Sequence, residues 1–215
     1  MENKTIIEIT NLSKEINGTK ILKNINLNII SGKTYGIIGR NGSGKSMLFK
    51  AICGLINPSD GKVKVFDDII KNGNFPKYTG VIIEHPGFLP QYSAFKNLKI
   101  LASINNIVDD NAIKNIISLV GLDPNDTKSV KKFSLGMIQR LGIAQALMER
   151  PKLLILDEPM NGLDEEGVKL IRKILLKLKN ESVTLLLASH NSIDIDELCD
   201  YVYKMENGAL SELKI

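Results

Sequence analysis

The chain has 215 residues, enough for one sizeable core with room for an inserted subdomain, and 43% of them are apolar. Against 24 acidic side chains stand 28 basic ones, a formal charge of +4, and no basic run exceeds the pair Lys131–Lys132, so nothing in the charge points to a nucleic-acid partner. No run approaches the roughly 18 apolar residues that cross a bilayer, and Cys53 and Cys199 lie in apolar surroundings without CxxC spacing, as buried reduced thiols do.

The opening stretch "MENKTIIEIT" is charged and then strand-like, with no signal-peptide core. "KTIIEIT" and "KILKNINLNI" alternate apolar and polar residues, which predicts half-exposed antiparallel strands. "TYGIIG" is a short continuous apolar run, as in a parallel strand buried on both faces. It leads into "GRNGSGKS", a full match to G-x-x-x-x-G-K-[ST], and then into the helix "KSMLFKAICGL". In that context Gly39, Asn41, Gly42, Ser43 and Gly44 form a cradle of backbone N–H groups for phosphates. Lys45 reaches the β/γ-phosphates and the Ser46 hydroxyl can hold Mg²⁺. The bland alternative, a Gly-rich turn with a surface lysine, does not require a strand before and a helix after.

"NPSDG" predicts a turn before the short strand "KVKVF". From about Phe95 to Arg150 the pattern is mostly helical, interrupting the strands. Inside it, "KKFSLGMIQR" sets a serine and a glycine ahead of an apolar-periodic run, the way an anion-binding helix start looks. "KLLILDEP" is a buried strand ending in two carboxylates. In an open parallel sheet ligands sit beyond the carboxyl ends of the strands, which makes Asp157 the Mg²⁺ partner and Glu158 the group that polarises an attacking water. "LDEEGVKLIRKILLKLKN" predicts a helix with Val168, Ile171, Leu175 and Leu178 on one stripe. "VTLLLASH" ends a last buried strand in Ser189 and His190, and the histidine is placed to sense a γ-phosphate. His85 reads as a solvated loop residue. The fold class is α/β: a P-loop NTPase with a mainly parallel core, an antiparallel β flank and a helical subdomain of about residues 85–150, all in one domain over 1–215.

These motifs, in this order, resemble the ATP-binding cassette (ABC) family, and the resemblance runs almost end to end. "SLGMIQR" is similar to its signature motif, with Ser134, Gly136 and Met137 at the nucleotide-contacting end. "NGLD", with Asp164, resembles its D-loop, and His190 its switch histidine. "FSLGM" and "DEPMNGLD" look most like the ATPase subunits of bacterial exporters of peptide antibiotics and bacitracin-like drugs. The resemblance implies ATP and Mg²⁺ as cofactors and a dimer of ATPase subunits, identical or not. Each ATP would be sandwiched between one subunit's P-loop and the other's signature, so the second anion-binding helix start serves the partner's nucleotide. It implies a transmembrane permease as partner, no nucleic acid, and a place on the cytoplasmic face of the membrane. A soluble cassette ATPase of translation or DNA maintenance is the competing reading, although no long coiled-coil insertion and no second cassette is present. A small P-loop kinase or GTPase lacks the signature and the Asp-Glu pair.

Three departures carry chemistry. Ile16 stands where the family stacks an aromatic on adenine, forfeiting about 0.5–1.5 kcal/mol of π-stacking. Met47 replaces a second hydroxyl after Ser46, removing one phosphate hydrogen bond worth about 1 kcal/mol. Glu84, in "GVIIEHPGFLP", occupies the position of the family's loop glutamine and is expected near the metal. Phe88 and Leu89 after it are candidates for contact with the permease.

Overall fold

The computed structural model describes residues 4–71 and 73–213; the first three residues of the charged opening stretch lie outside them. β1 (Thr5–Ile16) and β2 (Thr19–Ile30) pair antiparallel. Between them Asn17 and Gly18 both have positive φ, 49° and 78°, the backbone that lets a two-residue loop follow the twist of its strands. β3 (Thr34–Ile38) and α1 (Lys45–Ile52) follow. After the expected turn, β4 (Asp60–Val65) and the short β5 (Asp68–Ile69) complete an antiparallel sheet of order β2-β1-β4-β5.

β6 (Thr79–Ile82) leads into the helical region: α2 (Ala94–Asn105), α3 (Asp110–Leu119), a 3₁₀ turn at Val130–Lys132, and α4 (Leu135–Leu147). The chain then returns to the core through β7 (Leu153–Asp157), α5 (Glu165–Asn180), β8 (Thr184–Ala188) and α6 (Ser192–Leu198). A hairpin that the sequence reading did not anticipate, β9 (Tyr201–Glu206) and β10 (Ala209–Leu213), follows. The second sheet has the order β10-β9-β3-β8-β7-β6, parallel except for β10.

The continuous apolar runs are explained by two cores, one on each face of this sheet. Leu153, Ile155, Leu186 and Ala188 point into a core shared with α1 and the antiparallel sheet. Leu154, Leu156, Leu185 and Leu187 point the other way, onto the helices. Every second side chain changes face, so a strand covered on both sides must be apolar throughout. Helix α1 belongs to the first core through Leu48, Phe49 and Ile52, all fully buried. In α5, Ile171 and Leu175 are fully buried and Ile174 joins them, while Val168 and Leu178 are only partly covered.

Both cysteines are free thiols. Cys53 is fully buried, but Cys199 is only half-buried, its Sγ packed where a Cβ on Gly36 would come within 2.7 Å. Burial pushes each thiol up to about 12. Against an ordinary thiol near 8.5, the reactive thiolate fraction at pH 8 falls by roughly 10³. Treating the native protein with a charged disulfide reagent at that pH should leave both thiols unmodified over a time in which both react in denaturant. Fast release of one equivalent from the native protein would show Cys199 to be reachable.

Candidate active site at the carboxyl edge of the sheet

Register decides which loops meet. Ile37 of β3 lies opposite Ala188 of β8, and Ala188 lies opposite Asp157 of β7. The segments that follow these positions therefore leave the sheet side by side, and they carry the P-loop, Ser189–His190 and Asp157–Glu158. The P-loop and the Asp157–Glu158 segment open on a cavity of about 460 Å³ lined by residues 41–47, Asp157 and Glu158, while His190 lines a neighbouring cleft that shares residues 41–43 with it.

The P-loop turns into α1 through Gly44, whose φ of 115° is open to glycine alone; a Cβ there would press on Ile21 O and Leu22 Cδ2, both at 3.2 Å. The first helical bond is Leu48 N–H donating to Gly44 O at 2.9 Å, so the N–H groups of residues 45–47 precede the intrahelical ladder and are donors for an anion. Lys45 is buried, 6% exposed, and its ammonium donates to Gly39 O at 2.7 Å and Arg40 O at 3.4 Å. Two neutral carbonyls do not balance a buried cation; an anion in the cradle would. Ser43 Oγ is buried in the same loop without a partner.

Ser46 Oγ donates to Asp157 Oδ2 at 2.5 Å, so a hydroxyl and a carboxylate converge at the mouth of the cradle. Among the described residues no cluster of three or more His, Cys, Asp and Glu forms a protein-only metal cage. One carboxylate and one hydroxyl fit Mg²⁺, which keeps several waters and shares substrate phosphates rather than taking a full protein shell.

Glu158 follows Asp157 with φ 49°, a left-handed conformation held by its N–H donating to Ala188 O at 2.9 Å. Its Oε2 lies 2.8 Å from His190 Nδ1, and its Oε1 is buried with no partner. A carboxylate with one oxygen engaged and one free beside the cavity is an acceptor for a proton. The His190 side chain is 65% exposed, and this bond is the side-chain contact that orients it.

Glu84 also lines the cavity, yet its carboxylate is occupied: Lys50 Nζ, one turn and a half along α1, donates to Oε1 at 2.6 Å. Met47 lines the cleft too. Ile16 does not; it sits at the exposed hairpin end of β1, and Ile21 of β2 takes the apolar place at the cleft wall. His85 is exposed but also at the wall. Phe88 packs partly into the helix-side core, and Leu89 is exposed.

Ser134 is the N-cap of α4, its Oγ accepting from Met137 N–H at 3.2 Å, and it is exposed. Leu135 beside it is 57% exposed and packs on Gly162: a Cβ on Gly162 would meet Leu135 at 2.7 Å, and one on Gly136 would meet Gly162 O at 2.9 Å. The Ser134–Gly136 helix start and the loop at Gly162 therefore touch within one chain. Asp164 caps α5, accepting from Gly167 N–H at 2.9 Å, and pairs with Arg140 of α4 at 2.7 Å. Gly167 N–H first, and Arg140 after it, hold its carboxyl below the ordinary value. Gln139, buried, donates to Pro159 O at 3.1 Å. Lys50, Gln139 and Arg140 were not singled out from the sequence, because their partners lie 20 or more residues away; only the helical phase of Gln139 and Arg140 just past the signature hints at them.

The profile of the ABC transporter family matches residues 22–161. An uncharacterised ABC transporter ATP-binding protein of Bacillus subtilis, YybJ, is 47% identical over 206 residues, spanning 95% of this chain and 94% of its own. The bacitracin transport ATP-binding protein BcrA of Bacillus licheniformis is 42% identical over 97% of this chain and 69% of its own. In fold, the dimeric post-hydrolysis cassette MJ0796 bound to ADP and Pi superposes with a TM-score of 0.86 at 21% identity, covering 98% of this chain and 100% of that one. With the cradle, the paired carboxylates and the histidine at one sheet edge, the chain belongs to the ABC transporter family, as a nucleotide-binding subunit that hydrolyses ATP.

Proposed function

We propose that this ATPase drives a separate membrane permease exporting a peptide antibiotic or similar amphiphile, with Glu158 as the general base of hydrolysis. The observation that carries the catalytic part is the free, buried Oε1 of Glu158 beside the cradle, its other oxygen held by His190. The substrate class rests on the likeness to a bacitracin transport protein over nearly the whole chain. Among the described residues no helix is long and apolar enough to cross a membrane, so the site on the cytoplasmic membrane face depends on the permease. The chain works as one cassette, its helical part of about residues 85–150 inserted in the α/β core.

In this reading the N–H groups of the P-loop and Lys45 bind the β- and γ-phosphates. Ser46 and Asp157 hold Mg²⁺, which when bound would neutralise phosphate charge. Glu158 takes the proton of the attacking water, and His190 fixes the carboxylate's orientation and faces the γ-phosphate. Exposed Ser134 and Leu135, at the start of a helix whose N-terminal end presents the Ser134 cap, serve the nucleotide of a second cassette, identical or not.

Replacing Glu158 by Gln should leave ATP binding intact and lower steady-state hydrolysis by about 10²–10⁴, the usual range for a general base. Turnover within a few-fold of wild type would remove Glu158 from that role. Lys45→Ala should instead lose binding, read by nucleotide titration.

The same Glu158→Gln variant, unable to hydrolyse, should form an ATP-dependent dimer on size exclusion, and adding Ser134→Arg should abolish it. A dimer that survives the arginine would place the signature outside the interface.

Glu84→Gln removes a negative charge facing the phosphates and releases Lys50 from its ion pair. Unit charges about 4 Å apart at an effective dielectric near 20 interact by roughly 4 kcal/mol, so both changes strengthen metal-free binding. The ratio of ATP Kd without and with Mg²⁺ should therefore fall in the variant. An unchanged ratio would put the work of Glu84 at Lys50 and the permease contact rather than at the metal.

A further inference from the structure

His190 presents a puzzle of positioning. Its ring is largely exposed, so packing does not hold it, yet it must keep one ring nitrogen on Glu158. The residues flanking it supply the constraint. Directly before it, Ser189 is 3% exposed; its Oγ accepts from Asn191 N–H at 3.1 Å and reaches Asp194 Oδ2 at 3.5 Å. Directly after it, Asn191 caps α6, its Oδ1 accepting from Ile193 N–H at 2.9 Å.

Asp194 is 1% exposed, a carboxylate that is costly to bury without a partner. Its partner is Arg172 of α5, which donates to Oδ1 through Nη2 at 2.6 Å and Nε at 3.1 Å; the Nε also faces Glu197 at 3.3 Å. One arginine on a long packed helix therefore fixes one buried carboxylate, and that carboxylate reaches the serine whose oxygen closes the turn around His190. None of these groups touches the nucleotide cradle, and nothing in the hydrolysis scheme uses them.

We infer that the Arg172–Asp194 pair is a positioning device for the switch histidine: through Ser189 it clamps the loop that aims His190 Nδ1 at Glu158. This deepens the assignment of Glu158 and His190 to hydrolysis and rests on it. Displacing a reacting group by about 1 Å costs up to about 10²-fold in rate. Asp194→Asn, which keeps shape and loses charge, should lower kcat by about 10- to 100-fold while KM and nucleotide affinity stay within about three-fold. Ser189→Ala, a smaller change, should do the same to a lesser degree and serves if the first variant does not fold.

The deciding readout is the imidazole ¹⁵N spectrum of His190 in the nucleotide-free protein at fixed pH. Wild type should show one tautomer, with the proton on Nδ1 toward Glu158; Asp194→Asn and Ser189→Ala should both show tautomer averaging. The double variant Arg172→Met with Asp194→Leu exchanges the ion pair for apolar packing. It should recover the melting temperature without recovering kcat or the His190 spectrum. Recovery of kcat along with stability, or an unmoved His190 spectrum in the folded single variants, would overturn the inference. Because the spectrum is read without hydrolysis, it stands apart from the role of Glu158: failure of Glu158→Gln to slow turnover would sink the general-base assignment and leave the clamp to be judged on the spectrum alone.

Discussion

Everything at the site depends on the parallel pairing of β3, β8 and β7 in one register. Ile37, Ala188 and Asp157 stand in a row across the sheet, so three segments far apart in sequence leave it at the same height. A slip of one residue in β7 would turn its apolar side chains to the wrong core and reverse which of Asp157 and Glu158 faces the cradle. Burial on both faces makes that slip expensive, since Leu153 to Leu156 are each 0% exposed and sorted between two different cores. The apolar run that seems to say nothing about chemistry is what aligns the chemistry.

The cleft is also a place where charges are set against one another over short distances. Lys45 is sunk among carbonyls, Asp157 leans on a hydroxyl, Glu158 on a histidine and Glu84 on Lys50. Apart from the Glu158–His190 contact, each ionic group holds a stand-in that an incoming nucleotide or metal can replace without opening a new cavity. Such a site is preorganised: reorganisation amounts to exchanging partners rather than refolding loops. On the other flank, Arg140 ties the D-loop to the helix of the signature, so two segments expected to act toward a second cassette are already joined within the first.

What was readable in the sequence was whatever chemistry imposes at close spacing. Gly44, Lys45 and Ser46 must be neighbours to wrap a phosphate, and Asp157 must precede Glu158 at a strand end, so these residues announce themselves. Partnerships between distant positions do not. Lys50 with Glu84, Arg140 with Asp164 and Arg172 with Asp194 are single charged residues on ordinary helices, and only the fold chooses their partners. Ile16 is a case of register: the antiparallel pairing of β1 with β2 leaves it at the hairpin end, opposite Thr19, while Ile21 turns to the cleft. The hairpin of β9 and β10 does carry a local signal: Asn207–Gly208, with φ of 49° and 81°, is a strong turn pair between alternating segments.

That hairpin reaches back to the beginning of the fold. Gly208 N–H donates to Ser43 O at 3.0 Å, Lys23 N–H donates to Gly208 O at 2.8 Å, and β9 pairs with β3 just ahead of the P-loop. The cradle is thus propped from behind by residues made long after it. During synthesis, Gly39 to Ser46 leave the ribosome with neither their sheet neighbours nor this prop, and the contacts that shape them close some of the widest sequence separations in the molecule. A nascent chain that lacks the β9–β10 hairpin carries the phosphate-binding motif without this brace. Loss of the hairpin would leave the phosphate-binding motif intact in sequence but without the backbone bond from Gly208 that braces Ser43.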